Sequence, residues 1–418
     1  MKEKIRSFFD KPTKYVLVFL LWSVFGTLMG VIGGAVGALF SHTLELAGEL
    51  RGEHGWLIYL LPVGGLAIAG LYALCKLSGA NTNTVFETVR DEKQVPFLLA
   101  PAVFLGTVIT HLFGGSAGRE GAALQIGGSI ASLLGKIIKI DEHRRHILTM
   151  CGMSALFSAL FGTPVGACIF AVEVASAGRL YTAAMFPCCV SSVVAHMLAI
   201  RLGVPPEGYN VGAVLPLDVK TLASSALIGI AAAVVSILFC SLMHGTHRLA
   251  KRYIPNKYLR AALGGALIVI LTLIVGSNDY NGSGVHIIAG IFEGQSVAPW
   301  AFALKMLFTA ITMSTGYKGG EIVPTMFIGA ALGASVASLI GLSTPLGAAV
   351  GIAALFCGVT NCPITAIVLS IEMFGADGAV YYLTAALISY LLSGQYSLYS
   401  GQRIVYSKLD DTKIPKKA

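Results

Sequence analysis

The sequence is poor in charge. Only 12% of its 418 residues are charged, against 55% that are hydrophobic. Soluble domains run near ~25% charged residues. A chain this long with half that share is neither an ordinary soluble enzyme nor a nucleic-acid-binding protein. Disorder is excluded as well, because it needs low hydrophobicity and high net charge. A metal-binding pattern is also missing. The eight cysteines (Cys75, Cys151, Cys168, Cys188, Cys189, Cys240, Cys357 and Cys362) form no CxxC pair and join no His cluster. They read as buried structural thiols, and no metal or other cofactor is expected. No Walker A segment is present, so no ATP-driven pump domain is expected, and Gly282-Ser-Gly284 lacks the strand-turn-helix context of a dinucleotide site. No Ser/His/Asp constellation stands out, so an enzyme is not expected.

What is present is apolar. A mean hydropathy of +0.77 points to an all-α polytopic membrane protein in a lipid bilayer, and 49 glycines suit helices whose backbones approach closely. Helical segments are predicted near Tyr15–Phe40, Trp56–Lys76, Phe97–Phe113, Ala122–Ile138, Ile147–Leu160, Val165–Ala175, Tyr181–Leu202, Leu222–His247, Ala261–Gly276, Trp300–Thr315, Thr325–Leu339, Pro345–Cys357, Ile364–Phe374 and Tyr381–Leu392. Several are shorter than the ~20 residues that span a bilayer. Such broken or re-entrant helices survive at membrane depth only inside protein or along an aqueous path. The run Tyr15–Phe40 is too long for the core of a cleavable signal peptide.

The net charge of +8 describes topology. Residues 1–14 hold Lys2, Lys4, Arg6, Lys11 and Lys14 against Glu3 and Asp10. Residues 403–418 hold five basic and two acidic residues, and Arg248–Arg260 holds five basic and none acidic. By the positive-inside rule both termini and that loop are cytoplasmic, which requires an even number of crossings.

An internal repeat is the most informative feature. Gly118-Arg-Glu-Gly-Ala-Ala-Leu-Gln-Ile-Gly127 is matched in the second half by Gly320-Glu-Ile-Val-Pro-Thr-Met-Phe-Ile-Gly329. Thr163-Pro164, with Glu173 nine residues past the proline, is matched by Cys362-Pro363 with Glu372. Paired interrupted segments in two halves suggest a transporter repeat with a midplane site. The repeat is parallel or inverted; an odd number of crossings per half makes it inverted. The expected organisation is a segment 1–14, one transmembrane domain 15–402 with repeats of about 15–217 and 218–402, and a tail 403–418.

Acids inside the apolar body need a reason. Gly118-Arg119-Glu120-Gly121 opens a helix whose free N–H groups and positive dipole end attract an anion. Glu120 competes for that place, or swings away when protonated; its plain alternative is a helix cap. A carboxyl in low-dielectric surroundings takes up a proton more readily than one in water. Glu321 stands at the matching place, next to Ile322, Val323 and the helix-starting Pro324, with a pairing to Lys318 as the plain alternative. Asn81-Thr82-Asn83-Thr84 offers neutral donors for a small anion or forms an ordinary polar turn. Glu173 and Glu372 suit a structural role, holding a helix end or a loop N–H. Arg119 can neutralise a buried acid. Tyr396 and Tyr399 are phenol donors or interfacial aromatics.

These segments resemble the CLC family of chloride channels and anion/proton antiporters, from about Val18 to Gly401. Gly118–Gly121 resembles the family's G(K/R)EGP element, with Ala122 for the usual proline. Gly320–Pro324 resembles its GxFxP element, with Ile322 for the phenylalanine. Ser397-Leu-Tyr399 resembles the late segment carrying its anion-coordinating tyrosine. The resemblance implies a CLC-like inverted repeat of tilted and re-entrant helices and a homodimer with one pore per subunit. It makes Glu120 the gating, proton-carrying glutamate and Tyr399 the anion-contacting tyrosine. Gly118, Arg119 and Gly121, with Ile322 and Val323, become candidate anion-binding positions.

Three departures narrow the resemblance. The family's GSGIP element falls near Asn81–Phe86 but is not spelled there, leaving Asn81, Thr82 and Asn83 as candidates. Val174 stands where chloride antiporters carry an internal proton-transfer glutamate. Glu321 stands where chloride members carry an apolar residue, as a second proton or anion site. Together these resemble the bacterial fluoride/proton antiporter branch, although the methionine common in that branch's first element is missing from Asn81–Phe86. The implied function is secondary-active fluoride export against protons in a bacterial plasma membrane. The alternatives are chloride or nitrate exchange, passive anion conduction, or a non-transporting membrane scaffold. No room for cytoplasmic CBS domains is expected after Gly401.

Overall fold

The computed structural model describes residues 2–77, 79–91, 94–212, 217–410 and 412–414. Parts of the predicted N-terminal segment (residue 1), first repeat (78, 92–93 and 213–216) and C-terminal tail (411 and 415–418) lie outside the described residues. The described residues form sixteen α-helices. In the first half these are α1 (Lys2–Glu53), α2 (Leu61–Leu74), α3 (Thr82–Asp91), α4 (Leu99–Leu112), α5 (Glu120–Ile137), α6 (Glu142–Phe161), α7 (Pro164–Glu173) and α8 (Met185–Arg201). In the second half they are α9 (Val219–Tyr253), α10 (Lys257–Val275), α11 (Val285–Phe292), α12 (Ala301–Thr315), α13 (Ile322–Ile340), α14 (Thr344–Thr360), α15 (Pro363–Phe374) and α16 (Ala379–Leu392). The sheet formed by the described residues is one parallel pair, β1 (Ser176–Ala177) with β2 (Arg403–Ile404).

Local chemistry sets the boundaries. Asp141 and Asp218 cap α6 and α9 by accepting from the N–H groups of Arg144 and Thr221, and Asn256 caps α10 in the same way. These side chains satisfy donors that a helix start leaves unpaired. α14 ends at Asn361, held left-handed at φ 56°, a conformation Asn tolerates better than most residues.

Among the described residues, six helical stretches are long and apolar enough to cross a membrane. They differ in surroundings: the apolar window in Ile322–Ile340 is 78% buried inside the protein, that in Thr13–Glu53 only 28%. α13 is therefore enclosed by protein, while α1 turns much of its apolar surface outward. The outer helix is also long: its 41 residues from Thr13 to Glu53 extend about 60 Å, twice the ~30 Å hydrocarbon core. At the other extreme, α7 and α15 have 10 and 12 residues. They reach only about 15–18 Å and cannot cross alone.

The glycine landmarks of the repeat are helix crossings. Gly127 on α5 lies against the Gly152 carbonyl of α6, which leaves no room for a side chain. Gly329 on α13 lies against α14, where an added Cβ would stand 2.7 Å from the Gly351 carbonyl oxygen. Both halves thus use the same device for close backbone approach.

Two helices differ from expectation. α3 occupies the stretch read as a polar turn. It is mostly polar but buries Val85, Phe86 and Val89 on one side. α11 follows Gly284 at φ 83°, and its eight residues are too few for periodicity to mark it. α1 also runs past Phe40 to Glu53.

Candidate functional site

The two glycine-rich segments meet at the centre. Gly118 and Gly320 exchange both main-chain hydrogen bonds, Gly118 N–H to the Gly320 oxygen at 2.7 Å and the reverse at 2.8 Å. Side chains cannot enter here. A Cβ on Gly320 would stand 2.9 Å from the Glu120 nitrogen, and one on Gly121 would stand 3.0 Å from the Gly320 Cα. The glycines at these places therefore serve close approach.

That approach brings the first acid of α5 onto the start of α13. Glu120 is fully buried. Its Oε2 accepts from the Val323 N–H at 3.2 Å and from the Arg119 N–H at 3.1 Å, so the carboxyl sits where a half-helix end would hold an anion. Oε1 is buried with no hydrogen-bond partner. Glu321 lies alongside at the N-cap of α13, and its Oε2 is likewise buried without a partner. That oxygen is 3.3 Å from where a Cβ on Gly121 would be. Among the described residues no ion pair joins Lys318 to Glu321; the ammonium lies over the Tyr72 ring at 4.0 Å.

Tyr399 is buried as well. Its ring packs edge-to-face on Phe86 at 5.0 Å. Its hydroxyl has no hydrogen-bond partner. The segment carrying it is tied down by Asn83, whose Oδ1 accepts from Gly401 N–H at 2.8 Å and whose Nδ2 donates to Ser400 Oγ at 2.9 Å.

The three candidates of the Asn81–Thr84 run thus separate. Asn81 is exposed and accepts from Asn83 N–H at 3.1 Å, as a turn residue does. Asn83 anchors the Tyr399 segment. Only Thr82 reaches inward, where its buried hydroxyl accepts from Gln125 Nε2 at 3.1 Å. Gln125 also donates to the Gly121 carbonyl at 3.0 Å, which links Thr82 to the Glu120 turn. Tyr396 remains 47% exposed and takes no part. Of Gly118, Arg119 and Gly121, only backbone enters the cluster. The Arg119 guanidinium turns away to Glu207 at 2.5 Å, the Leu160 carbonyl and Ser41, so the buried acid it neutralises is Glu207. Ile322 and Val323 are buried at the first turn of α13.

Sequence reading missed Gln125 and Phe86. Gln125 had a usable signal, a lone amide on an apolar helix one turn after Gly121. Phe86 had none.

The symmetric glutamates lie apart from this cluster. Glu173, at the end of α7, accepts from Ile364 N–H, Thr365 N–H and the Thr365 hydroxyl at 3.2, 2.9 and 2.5 Å. Glu372, near the end of α15, accepts from Val165 N–H and Gly166 N–H at 2.9 and 2.7 Å. Each half-length helix caps the other, and the two run antiparallel.

Two facing motifs at helix starts, each with an acid, accompany a sequence match. The model of the voltage gated chloride channel family matches residues 64–394. The chain belongs to this family. This CLC member is therefore a multi-pass membrane protein of a transporter family, not an enzyme. It is 36% identical over 93% of its length, and 87% of the relative's, to a chloride/fluoride channel protein of Pseudomonas syringae pv. tomato. Similarity to an H(+)/Cl(-) exchange transporter ClcA of Vibrio cholerae is lower, 24% over 99% of this chain and 95% of the relative. Among solved structures, a CLC-type fluoride/proton antiporter superposes with a TM-score of 0.88 at 31% identity, covering 92% of this chain and 98% of that one. A slow cyanobacterial Cl-/H+ antiporter superposes with a TM-score of 0.78 at 20% identity, covering 89% and 94%, and shares the fold.

Proposed function

We propose that this chain is a fluoride/proton antiporter that exports fluoride. The observation that carries the reading is the Glu120 carboxyl on the Val323 N–H of α13. The ionised side chain competes there with an anion for the same donor. Protonation of Glu120 removes that competition and loads the counter-transported proton, and fluoride takes the donor. Fluoride is small and strongly hydrated, so it needs dense donors. A protonated Glu321, the Tyr399 hydroxyl and the first N–H groups of α13 supply them, while Gln125 ties Thr82 to the Gly121 carbonyl. Similarity to a structure described as a fluoride/proton antiporter, and to a relative described as a chloride/fluoride channel protein, supports fluoride as the substrate.

The reading extends to architecture. The antiparallel, reciprocally capped α7 and α15 support two inverted halves, about 15–217 and 218–402. The protein is a homodimer with one pore per subunit in a bacterial plasma membrane, and its basic ends lie in the cytoplasm. The test is ion efflux from liposomes loaded with fluoride or chloride, with pH recorded in parallel. Fluoride efflux with proton uptake is expected. Chloride efflux as fast as fluoride efflux would make the protein a chloride exchanger, and anion efflux without proton movement would make it a channel.

A further inference from the structure

A cavity of about 690 Å³ opens on the side that carries the C-terminal segment, apart from Glu120, Glu321 and Tyr399. Its described lining includes Arg90, Arg179, Arg403, Lys413 and His146 and contains no Asp or Glu. Four cations together, Arg90, Arg179, Arg403 and Lys413, are unusual in a chain with 12% charged residues.

These residues come from separate segments that local contacts hold side by side. Arg90, at the end of α3, donates to the Gly401 carbonyl at 2.6 Å. His146, on the first turns of α6, places Nδ1 3.0 Å from the Val89 carbonyl oxygen. Arg403 lies in β2, paired with Ser176 of β1. Lys413 faces Tyr406 across a short antiparallel hairpin, closed by Ser407 N–H to Thr412 O at 2.8 Å and Ile414 N–H to Val405 O at 3.0 Å. Arg179, in the link from α7 to α8, lies over the Tyr181 ring at 5.3 Å.

We propose that this cavity binds a phosphate-bearing anion, either an anionic lipid headgroup or a soluble phosphorylated compound. Its volume falls in the ~300–1,000 Å³ range of small-molecule sites, and a bare halide would fill little of it. Guanidinium groups match the spread oxygens of a phosphate with paired donors, and the ammonium of Lys413 adds a point charge. No lining residue belongs to the proposed transport site, so binding and transport can be measured separately.

The test is binding of inorganic pyrophosphate to the full-length protein in detergent, read as a saturable rise in unfolding temperature at constant ionic strength. The expected result is saturation by pyrophosphate and none by sodium chloride. Affinity should fall about tenfold or more in the double variant Arg179→Ala, Lys413→Ala, since a charge-assisted contact contributes about 1.5–3 kcal/mol. Arg403→Gln, which keeps the main-chain pairing of β2, should weaken binding in the same direction and decides the matter if the double variant does not fold. Nanodiscs of phosphatidylcholine with and without phosphatidic acid separate the sources. Phosphatidic acid that blocks pyrophosphate identifies a lipid headgroup, and pyrophosphate binding unaffected by the lipid identifies a soluble compound. The proposal is overturned if pyrophosphate acts no differently from chloride, or if the variants bind it as the parent does.

Discussion

The repeat places two pairs of acids at corresponding helix ends, Glu173 and Glu372 in register and Glu120 and Glu321 one residue out of it, and the pairs are treated in opposite ways. Glu173 and Glu372 are saturated: the first accepts from three donors at the start of α15, the second from two at the start of α7. Glu120 and Glu321 are not. Each keeps a buried oxygen without a partner, and only Glu120 reaches across to the other half. A buried polar group without a partner costs about 1–3 kcal/mol, so a fold that fills one pair and starves the other is spending stability at one place only. The saturated pair holds the halves together. The starved pair has bonding capacity left for a proton or an anion.

The sharpest way to break that distinction is Glu120→Gln. An amide fills the same space but cannot titrate. Proton uptake during fluoride efflux should fall to the background of protein-free liposomes, and the variant should stay folded. Proton movement that persists at the parent rate would place the carrier elsewhere. Glu321→Leu, which removes the donor, is the next largest effect, a loss of about tenfold or more in fluoride flux, as expected when one strong charge-assisted contact of about 1.5–3 kcal/mol is lost. Parent-like flux in that variant would return Glu321 to a helix cap.

The other pair should respond in stability. Glu173→Ala strands three donors and should cost about 2–4 kcal/mol. Glu372→Ala, with two donors and more solvent nearby, should cost about 1–2 kcal/mol. Thermal unfolding in detergent reads both, and a larger cost for Glu372 than for Glu173 would reverse the ranking drawn from their donors. Proton coupling in the fraction of either variant that remains folded should match the parent.

The same contrast marks what the sequence could reveal. Glu120, Glu321, Glu173 and Glu372 were legible because an acid in an apolar run needs a reason and because each lies in a motif that has a counterpart in the other half. The glycine landmarks were legible as a pattern, although their meaning as close crossings of α5 with α6 and of α13 with α14 needed coordinates. Periodicity failed where elements are short or polar: α3 has ten mostly polar residues and α11 has eight. Distant partners were out of reach. Nothing in the residues around Asn83 says that it binds Gly401, or that Arg119 spends its guanidinium on Glu207 rather than on the anion. Local rules act over a few residues, and these contacts join segments 88 to 318 residues apart.

The smallest expected effect separates the two kinds of acid neighbour most finely. The Tyr399 hydroxyl is buried without a hydrogen-bond partner among the described residues, whereas its ring packs on Phe86. Removing an unsatisfied hydroxyl while keeping the ring deletes a desolvation cost and no contact. Tyr399→Phe should therefore unfold at the parent temperature or slightly above it. If the hydroxyl serves the anion, fluoride should bind a few-fold more weakly, the size of one neutral hydrogen bond of about 0.5–1.5 kcal/mol. Isothermal titration with fluoride, paired with thermal unfolding, reads both quantities on one sample. A loss of stability would mean that the hydroxyl has a structural partner, and unchanged affinity would remove Tyr399 from the anion's path and leave α13 and Glu321 as its donors.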